Sequence, residues 1–71
     1  MKLPGCRRQR ELRGWTIGQL ADQAGVTYKA AMNADRGDNV SGRTAQALAR
    51  AFAGNPPPEG MVELLEDGAA S

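Results

Sequence analysis

Residues 16–37, TIGQLADQAGVTYKAAMNADRG, decide the fold that this sequence predicts. Thr16 and Gln19 have the spacing of a capping box, in which each side chain accepts a hydrogen bond from the other residue's backbone N–H. Gly25 ends the first helix, because glycine adopts the left-handed conformation of a helix C-terminus without a steric penalty. Thr27 has the side-chain oxygen needed to cap a second helix. The stretch therefore predicts two short helices joined by a tight turn.

Small side chains lie where these two helices should cross. Ala21 is placed at the crossing, where a large side chain would push the helices apart, and Val26 can fill the corner of the turn. The inward positions of the second helix are Ala31 and Ala34. A small residue, a Gly, an apolar residue and a capping Thr in this order predict a helix-turn-helix at about residues 16–36. Two ordinary helices of a generic bundle are the alternative.

The rest of the chain predicts three more helices and no strand. Trp15 follows the first of them and is expected to anchor the core, and Ser41 is a candidate N-cap for the next. Pro56–Pro58 form a stiff connection before the last helix. The three helices are predicted at residues 4–13, 42–53 and 59–66. The predicted fold class is therefore all-α, a compact bundle of five short helices.

Length and composition limit the function classes. A chain of 71 residues allows one domain, predicted over residues 1–66 with a frayed tail at 67–71. One cysteine and no histidine exclude an internal disulfide and the usual zinc sites, and Cys6 is expected in the core. With no membrane span, signal peptide, catalytic constellation or nucleotide loop in the sequence, we expect a cytoplasmic protein that is no enzyme and has no cofactor.

Charge is distributed unevenly along the chain. Residues 1–50 hold all nine Lys and Arg and four of the acids, whereas residues 51–71 hold four acids and no base. A basic body with an acidic tail can meet a polyanion with the body while the tail stays away from it. The net charge of +1 conceals this asymmetry.

With these helices in place, the sequence resembles the phage repressor/Cro family, also called XRE-type or lambda-repressor-like regulators. The resemblance covers roughly Cys6 to Leu65. It rests on R-x-L-R-G-W-T at residues 10–16, QLADQAGV at 19–26 and T-Y-K-x-x-x-N-x-[DE]-R-G at 27–37. Further matches in the fourth helix are Ser41, Thr44, Leu48 and Ala49.

The resemblance implies that the helix ending at Asp35 enters the major groove of double-stranded DNA. The base-contacting positions of the family then fall on Tyr28, Lys29, Met32 and Asn33. Their chemistry suits the role in part, because Lys can donate to guanine O6 and N7, and Asn can form a bidentate pair with adenine. An exposed helix face carries such polar residues in many proteins, which is the alternative explanation.

The resemblance also implies phosphate contacts from the start of the second helix and from the loop after the third. An exposed N–H at a helix start binds anions, and Arg can hold a phosphate with two donors. A family salt bridge matches Arg10 and Asp35, and would direct Arg10 toward the DNA backbone. The implied phosphate contacts are Thr16, the backbone N–H of Ile17, Arg10, Arg36, Ser41 and Arg43.

Four residues depart from the family pattern. Ile17 stands where many members have Gln, Ala31 and Ala34 stand where Ile or Leu is usual, and Gln9 replaces an apolar residue. Each buried methylene that is missing forgoes about 0.8 kcal/mol. Either Trp15, Phe52 and Met61 fill the space, or the core is loose.

The sequence thus predicts a sequence-specific transcription regulator, a repressor of Cro or prophage type, that binds an inverted repeat as a homodimer. Candidate dimer contacts in the last helix are Met61, Val62, Leu64 and Leu65. The alternative is a protein-interaction module on the same fold, such as an antitoxin, an anti-repressor or an adaptor. The salt dependence of DNA binding separates the two, because neutralising phosphates makes affinity fall steeply with salt.

Overall fold

A computed structural model describes residues 1–64, and this part of the chain is helical without any strand. The predicted all-α bundle is confirmed. The helices are α1 (Cys6–Leu12), α2 (Ile17–Ala24), α3 (Tyr28–Asp35) and α4 (Gly42–Gly54), followed by a helical stretch at residues 61–64. The end of the predicted fifth helix and the predicted frayed tail at 67–71 lie outside the described residues. No helix within residues 1–64 is long and apolar enough to cross a membrane.

The helix ends follow the capping residues of the sequence. Thr16 and Gln19 form both hydrogen bonds of the capping box, with the Thr16 N–H 2.8 Å from Gln19 Oε1 and the Gln19 N–H 3.1 Å from Thr16 Oγ1. The side chains of Thr27 and Ser41 cap α3 and α4 by accepting the N–H groups of Ala30 and Thr44, without the reciprocal bond of a capping box. The start of α1 differs from the prediction: Gly5 offers no side-chain cap, so residues 4 and 5 form a turn and the helix begins at Cys6.

The core lies where α2, α3 and α4 meet. Leu20, Leu48, Ala31 and Ala34 are completely buried, and Ala21 is nearly so. The core around α3 is therefore not loose, because the helices approach closely enough to bury the small side chains of these alanines. Trp15 and Phe52 pack at the edge of this core, as the first alternative required, and Cys6 is a core residue as expected. Met61 is only half-buried.

A buried carboxylate connects α1 to the end of α3. The Asp35 side chain is 3% exposed, and its Oδ1 accepts a hydrogen bond of 2.7 Å from Arg10 Nε. Arg7 Nε donates to Oδ2 at 3.2 Å. Burial alone raises the pKa of Asp35, but the hydrogen bonds and charges of the two arginines outweigh it and leave the pKa below its ordinary value. The salt bridge that the family resemblance implied is present, and Arg7 joins it.

A third arginine, Arg13, connects α1 to the C-terminal end of α4. Arg13 Nη2 donates to the Phe52 carbonyl at 2.7 Å and Nε donates to the Asn55 carbonyl, so α1 satisfies the last carbonyls of α4. The guanidinium lies 4.8 Å from the Phe52 ring centre and 5.8 Å from that of Trp15. The two rings stack at 6.2 Å. Desolvation in this site lowers the pKa of Arg13. The α1–α4 end contact is therefore polar and aromatic.

Candidate nucleic-acid interface

The outer face of α3 brings the four predicted base-contacting residues together. With 3.6 residues per turn, Tyr28 and Met32 stand one above the other, as do Lys29 and Asn33. The two buried alanines of α3, Ala31 and Ala34, lie on the opposite side of the helix. Tyr28 is 57% exposed and Lys29 is exposed, whereas Met32 and Asn33 are partly covered. The four side chains therefore form one continuous surface, here called the α3 stripe.

The polar groups of the α3 stripe are available for a partner. Within residues 1–64, the side chains of Tyr28, Lys29 and Asn33 make no hydrogen bond or ion pair. An ammonium, an amide and a phenol side by side supply donors and acceptors of the kinds that bind base edges in a major groove. Met32 adds an apolar surface between them. This combination can form directional contacts without first breaking an internal one.

The start of α2 leaves backbone donors pointing outward. The capping box occupies the N–H groups of Thr16 and Gln19, so within residues 1–64 the N–H groups of Ile17 and Gly18 remain as unpaired donors of the first turn. A Cβ built on Gly18 would meet only Thr16 Oγ1, at 3.8 Å. An anion can therefore approach this backbone closely. The Ile17 N–H was expected at this contact from the sequence, but Gly18 was not. Ile17 itself packs against the core, which accounts for its apolar side chain.

The loop between α3 and α4 carries the other predicted phosphate contacts. Arg36 is exposed, and its Nη2 lies 2.7 Å from Asp38 Oδ2. Such an exposed pair is weak and can exchange for a phosphate. Ser41 Oγ accepts the Thr44 N–H at 3.1 Å, so this hydroxyl already serves as the α4 cap. Arg43 is exposed in the first turn of α4.

Arg10 differs from the other predicted phosphate contacts, because it lies mostly inside the molecule. Its side chain is 18% exposed, and its Nη1 donates to the Trp15 carbonyl at 2.8 Å while Nε binds Asp35. Arg10 therefore fixes α1 against α3 and against Trp15, which precedes the N-cap of α2. The half-exposed Arg7 on the same carboxylate was missed from the sequence, although its spacing of three residues from Arg10 places both on one helix face.

The candidate dimer residues lie apart from the α3 stripe in the chain. Val62 and Leu64 are exposed, Met61 is partly buried, and Leu65 lies outside the described residues. Within residues 1–64 no cluster of three or more His, Cys, Asp or Glu could hold a metal ion. Compared with known proteins, the chain matches no family model, no curated protein and no solved structure. Function is therefore inferred from the chemistry of these surfaces.

Proposed function

We propose that this protein is a sequence-specific DNA-binding transcription regulator of the cytoplasm, a repressor of Cro or prophage type, that inserts α3 into the major groove. The observation that carries the proposal is the α3 stripe. Its donors and acceptors have no internal partner within residues 1–64, and they lie on the outer face of a helix whose inward alanines, Ala31 and Ala34, are completely buried. A helix that is fixed in this way holds its outer side chains in constant positions, so that they can contact base edges in the major groove of DNA, which admits one α-helix.

Base contacts come from the N-terminal half of α3 and from its middle. Lys29 donates to guanine O6 and N7, and Asn33, one turn later, pairs with adenine N6 and N7. Tyr28 and Met32 supply apolar contact to a thymine methyl, with the phenol also able to reach a phosphate. Each bidentate contact would contribute about 1–3 kcal/mol of discrimination against the wrong base.

Phosphate contacts set the position of α3 on the duplex. The free N–H groups at the start of α2 bind one phosphate, aided by the positive end of the helix dipole. Arg36 and Arg43 bind others from the loop after α3 and from the start of α4. Arg10 acts indirectly, because it holds α1, α3 and the entry to α2 in one arrangement.

The protein acts as a homodimer on an inverted repeat. Two copies related by a two-fold axis place their α3 helices in successive major grooves, about 34 Å apart. The acidic residues of 59–67 are kept away from the phosphates, because they repel the polyanion that the basic body attracts.

Selection of bound duplexes from a random DNA pool tests the proposal. Enrichment of an inverted repeat with one helical turn between half-site centres is expected. Binding should weaken linearly on a log–log plot with salt, with a slope of about −0.9 for each phosphate neutralised. No retained DNA even at low salt would overturn the proposal and leave the protein-interaction module as the better hypothesis.

Single variants separate base contacts from phosphate contacts. Lys29→Ala and Asn33→Ala are expected to relax preference at one base position each, whereas Arg43→Ala should weaken binding to all sequences alike. Arg50→Ala is the matched control for Arg43→Ala, because it removes the same charge from the same helix two turns further on. Equal losses for Arg43→Ala and Arg50→Ala would contradict a localised phosphate contact.

A further inference from the structure

A pocket lies where the C-terminal end of α1 meets the C-terminal end of α4. Its volume is about 320 Å³, at the lower end of the range of about 300–1,000 Å³ that is usual for small-molecule sites. It combines one cationic side chain with the rings of a tryptophan and two prolines. The residues that line this pocket, here called the Arg13 pocket, are Arg13, Trp15, Gly54, Asn55, Pro56 and Pro58.

The positive charge of Arg13 has no anionic partner within residues 1–64. The acceptors that hold its guanidinium are all neutral: the carbonyls of Gln9, Phe52 and Asn55 and the side-chain amide of Gln9. The Trp15 and Phe52 rings attract a cation through their faces but carry no net charge. Desolvation lowers the pKa of Arg13, and no acid among the described residues raises it. An anion in the Arg13 pocket would therefore supply the charge that this partly buried guanidinium lacks.

The Arg13 guanidinium also keeps a donor for a ligand. A guanidinium has five N–H groups, and those of Arg13 make four hydrogen bonds within residues 1–64: one from Nε, two from Nη1 and one from Nη2. The second N–H of Nη2 therefore has no acceptor in this part of the chain. The indole N–H of Trp15 likewise makes no hydrogen bond to residues 1–64, and it is accessible to solvent rather than buried. Two lining residues thus offer unused donors.

A small carboxylate with an aromatic body matches these properties. Its oxygens can accept the Nη2 N–H in a charge-assisted hydrogen bond, which is shorter and stronger than one between neutral groups. Its ring can pack against the indole and the proline rings, which offer a surface without charge. Inorganic phosphate would pair with the guanidinium but would leave that apolar surface in contact with water. The charge and the lining together therefore favour an aromatic carboxylate over a bare anion.

We propose that the Arg13 pocket binds a small aromatic carboxylate, which pairs with the Arg13 guanidinium and packs its ring against Trp15 and Pro58. The site lies directly before Thr16, the N-cap of α2, because Trp15 is the preceding residue. A bound ligand would therefore lie beside the start of the helix that contacts phosphate in the proposed function. The ligand site does not depend on that function, because no residue of the α3 stripe lines the pocket.

Fluorescence of Trp15, the single tryptophan of the chain, tests the proposal directly. Phenylacetate is titrated into the full chain at constant ionic strength. Phenylacetamide is the neutral ligand of the same shape, and inorganic phosphate is the anion without an apolar body. A saturable change with a millimolar dissociation constant is expected for phenylacetate, with binding about tenfold or more weaker for the other two. Equal binding of phenylacetamide, or no saturation up to about 50 mM phenylacetate, would overturn the proposal. Equal binding of phosphate would overturn it as well and would indicate a phosphate contact instead.

A pair of variants at Pro58 tests the position of the site without altering the core, because Pro58 is exposed. Pro58→Glu brings a like charge to the rim of the pocket, and Pro58→Gln has the same shape without the charge. The dissociation constant of phenylacetate should be about threefold or more higher for the Glu variant than for the Gln variant, because like charges repel. Binding of phenylacetamide should not differ between them. Equal dissociation constants of phenylacetate in the two variants would overturn the proposal.

Removing the charge of the pocket is the complementary test. Arg13→Gln should abolish the preference for phenylacetate over phenylacetamide, because both ligands then meet a neutral side chain. Circular dichroism shows whether this variant is folded, and the Pro58 pair decides the matter if it is not. A preference for phenylacetate that persists in folded Arg13→Gln would overturn the proposal.

Discussion

The α2–α3 contact is closed, whereas a groove between α1 and α4, here called the α1–α4 groove, stays open. Both regions contain alanines, and the lining of the groove includes Leu3, Cys6, Gln9, Ala45, Ala49 and Phe52. At the α2–α3 contact, Ala31 and Ala34 are completely buried and Ala21 is nearly so. In the groove, Ala49 stays exposed, and about 250 Å³ stays open beside it. Ala45 also lines the groove but is buried, so the exposed alanine of the groove is Ala49. Because the alanine side chain is short, it cannot fill the space where two helix backbones stay apart.

The connections explain why the backbones approach in one place and not in the other. A three-residue turn with Gly25 in the left-handed conformation joins α2 to α3 and leaves no slack between them. α1 and α4 are not consecutive in the chain, because α2 and α3 lie between them. The contacts at their ends use long side chains such as Arg13. Where a short turn holds two helices close together, alanines fill the contact between them. Where long side chains hold two helices further apart, alanines leave an opening.

Removing the ion pair behind α3 should have the largest effect on stability. Arg10→Met leaves the buried Asp35 with the half-exposed Arg7 alone and is expected to lower the free energy of unfolding by about 3 kcal/mol. Arg36→Met is the matched control, because its partner Asp38 is exposed, and should cost less than about 1 kcal/mol. Urea denaturation at pH 7 measures both. Similar losses of unfolding free energy in the two variants would mean that the buried Asp35 ion pair stabilises the protein no more than an exposed ion pair does.

Replacing an alanine by leucine should affect stability differently in the closed α2–α3 contact and in the open groove. Ala31→Leu overpacks a site without free volume and should cost about 1–3 kcal/mol of unfolding free energy. Ala49→Leu adds the same atoms to the wall of the groove and should stay within about 0.5 kcal/mol of the unaltered chain. Thermal and urea melts of the two variants check the prediction, and a groove variant as unstable as Ala31→Leu would show that the groove is closed in solution.

Weakening the Arg13 contacts should loosen one end of the groove. Arg13→Lys keeps the charge but loses the planar fork that reaches the Phe52 and Asn55 carbonyls together, and should lower the free energy of unfolding by about 1–2 kcal/mol. Amide exchange at the end of α4 should speed up more than exchange in α3. Arg50→Lys, on the exposed face of α4, is the control and should change neither quantity.

The titration of Asp35 gives a further test of the same ion pair. Its pKa is lower in the folded protein than in the unfolded chain, so its contribution is present above about pH 4 and disappears as the pH falls through the folded value. The difference in unfolding free energy between the unaltered chain and Arg10→Met should therefore shrink at acid pH. Urea melts between pH 2 and pH 7 measure it, and a constant difference would contradict the assignment to an ionised Asp35.

Local patterns predicted the helices well, because each helix end depends on residues a few positions apart. The capping pair Thr16 and Gln19, the caps at Thr27 and Ser41 and the stop at Gly25 all act within one turn of the chain. The start of α1 was placed two residues too early, since Pro4 is acceptable in a first turn but Gly5 has no side chain to cap it. The residues of the α3 stripe were named from the resemblance to the phage repressor/Cro family, and the 3.6-residue repeat explains why they share one face of α3.

The sequence by itself determined the helices, their caps and the polar outer face of α3, since these depend on neighbouring residues and on the 3.6-residue repeat. Only the tertiary structure decided that Arg7 shares Asp35 with Arg10, that Arg13 bridges to the end of α4, and that a groove stays open between α1 and α4. These features join residues that are 28, 25 and 39 positions apart. Their geometry depends on how closely whole helices approach, which no local pattern encodes.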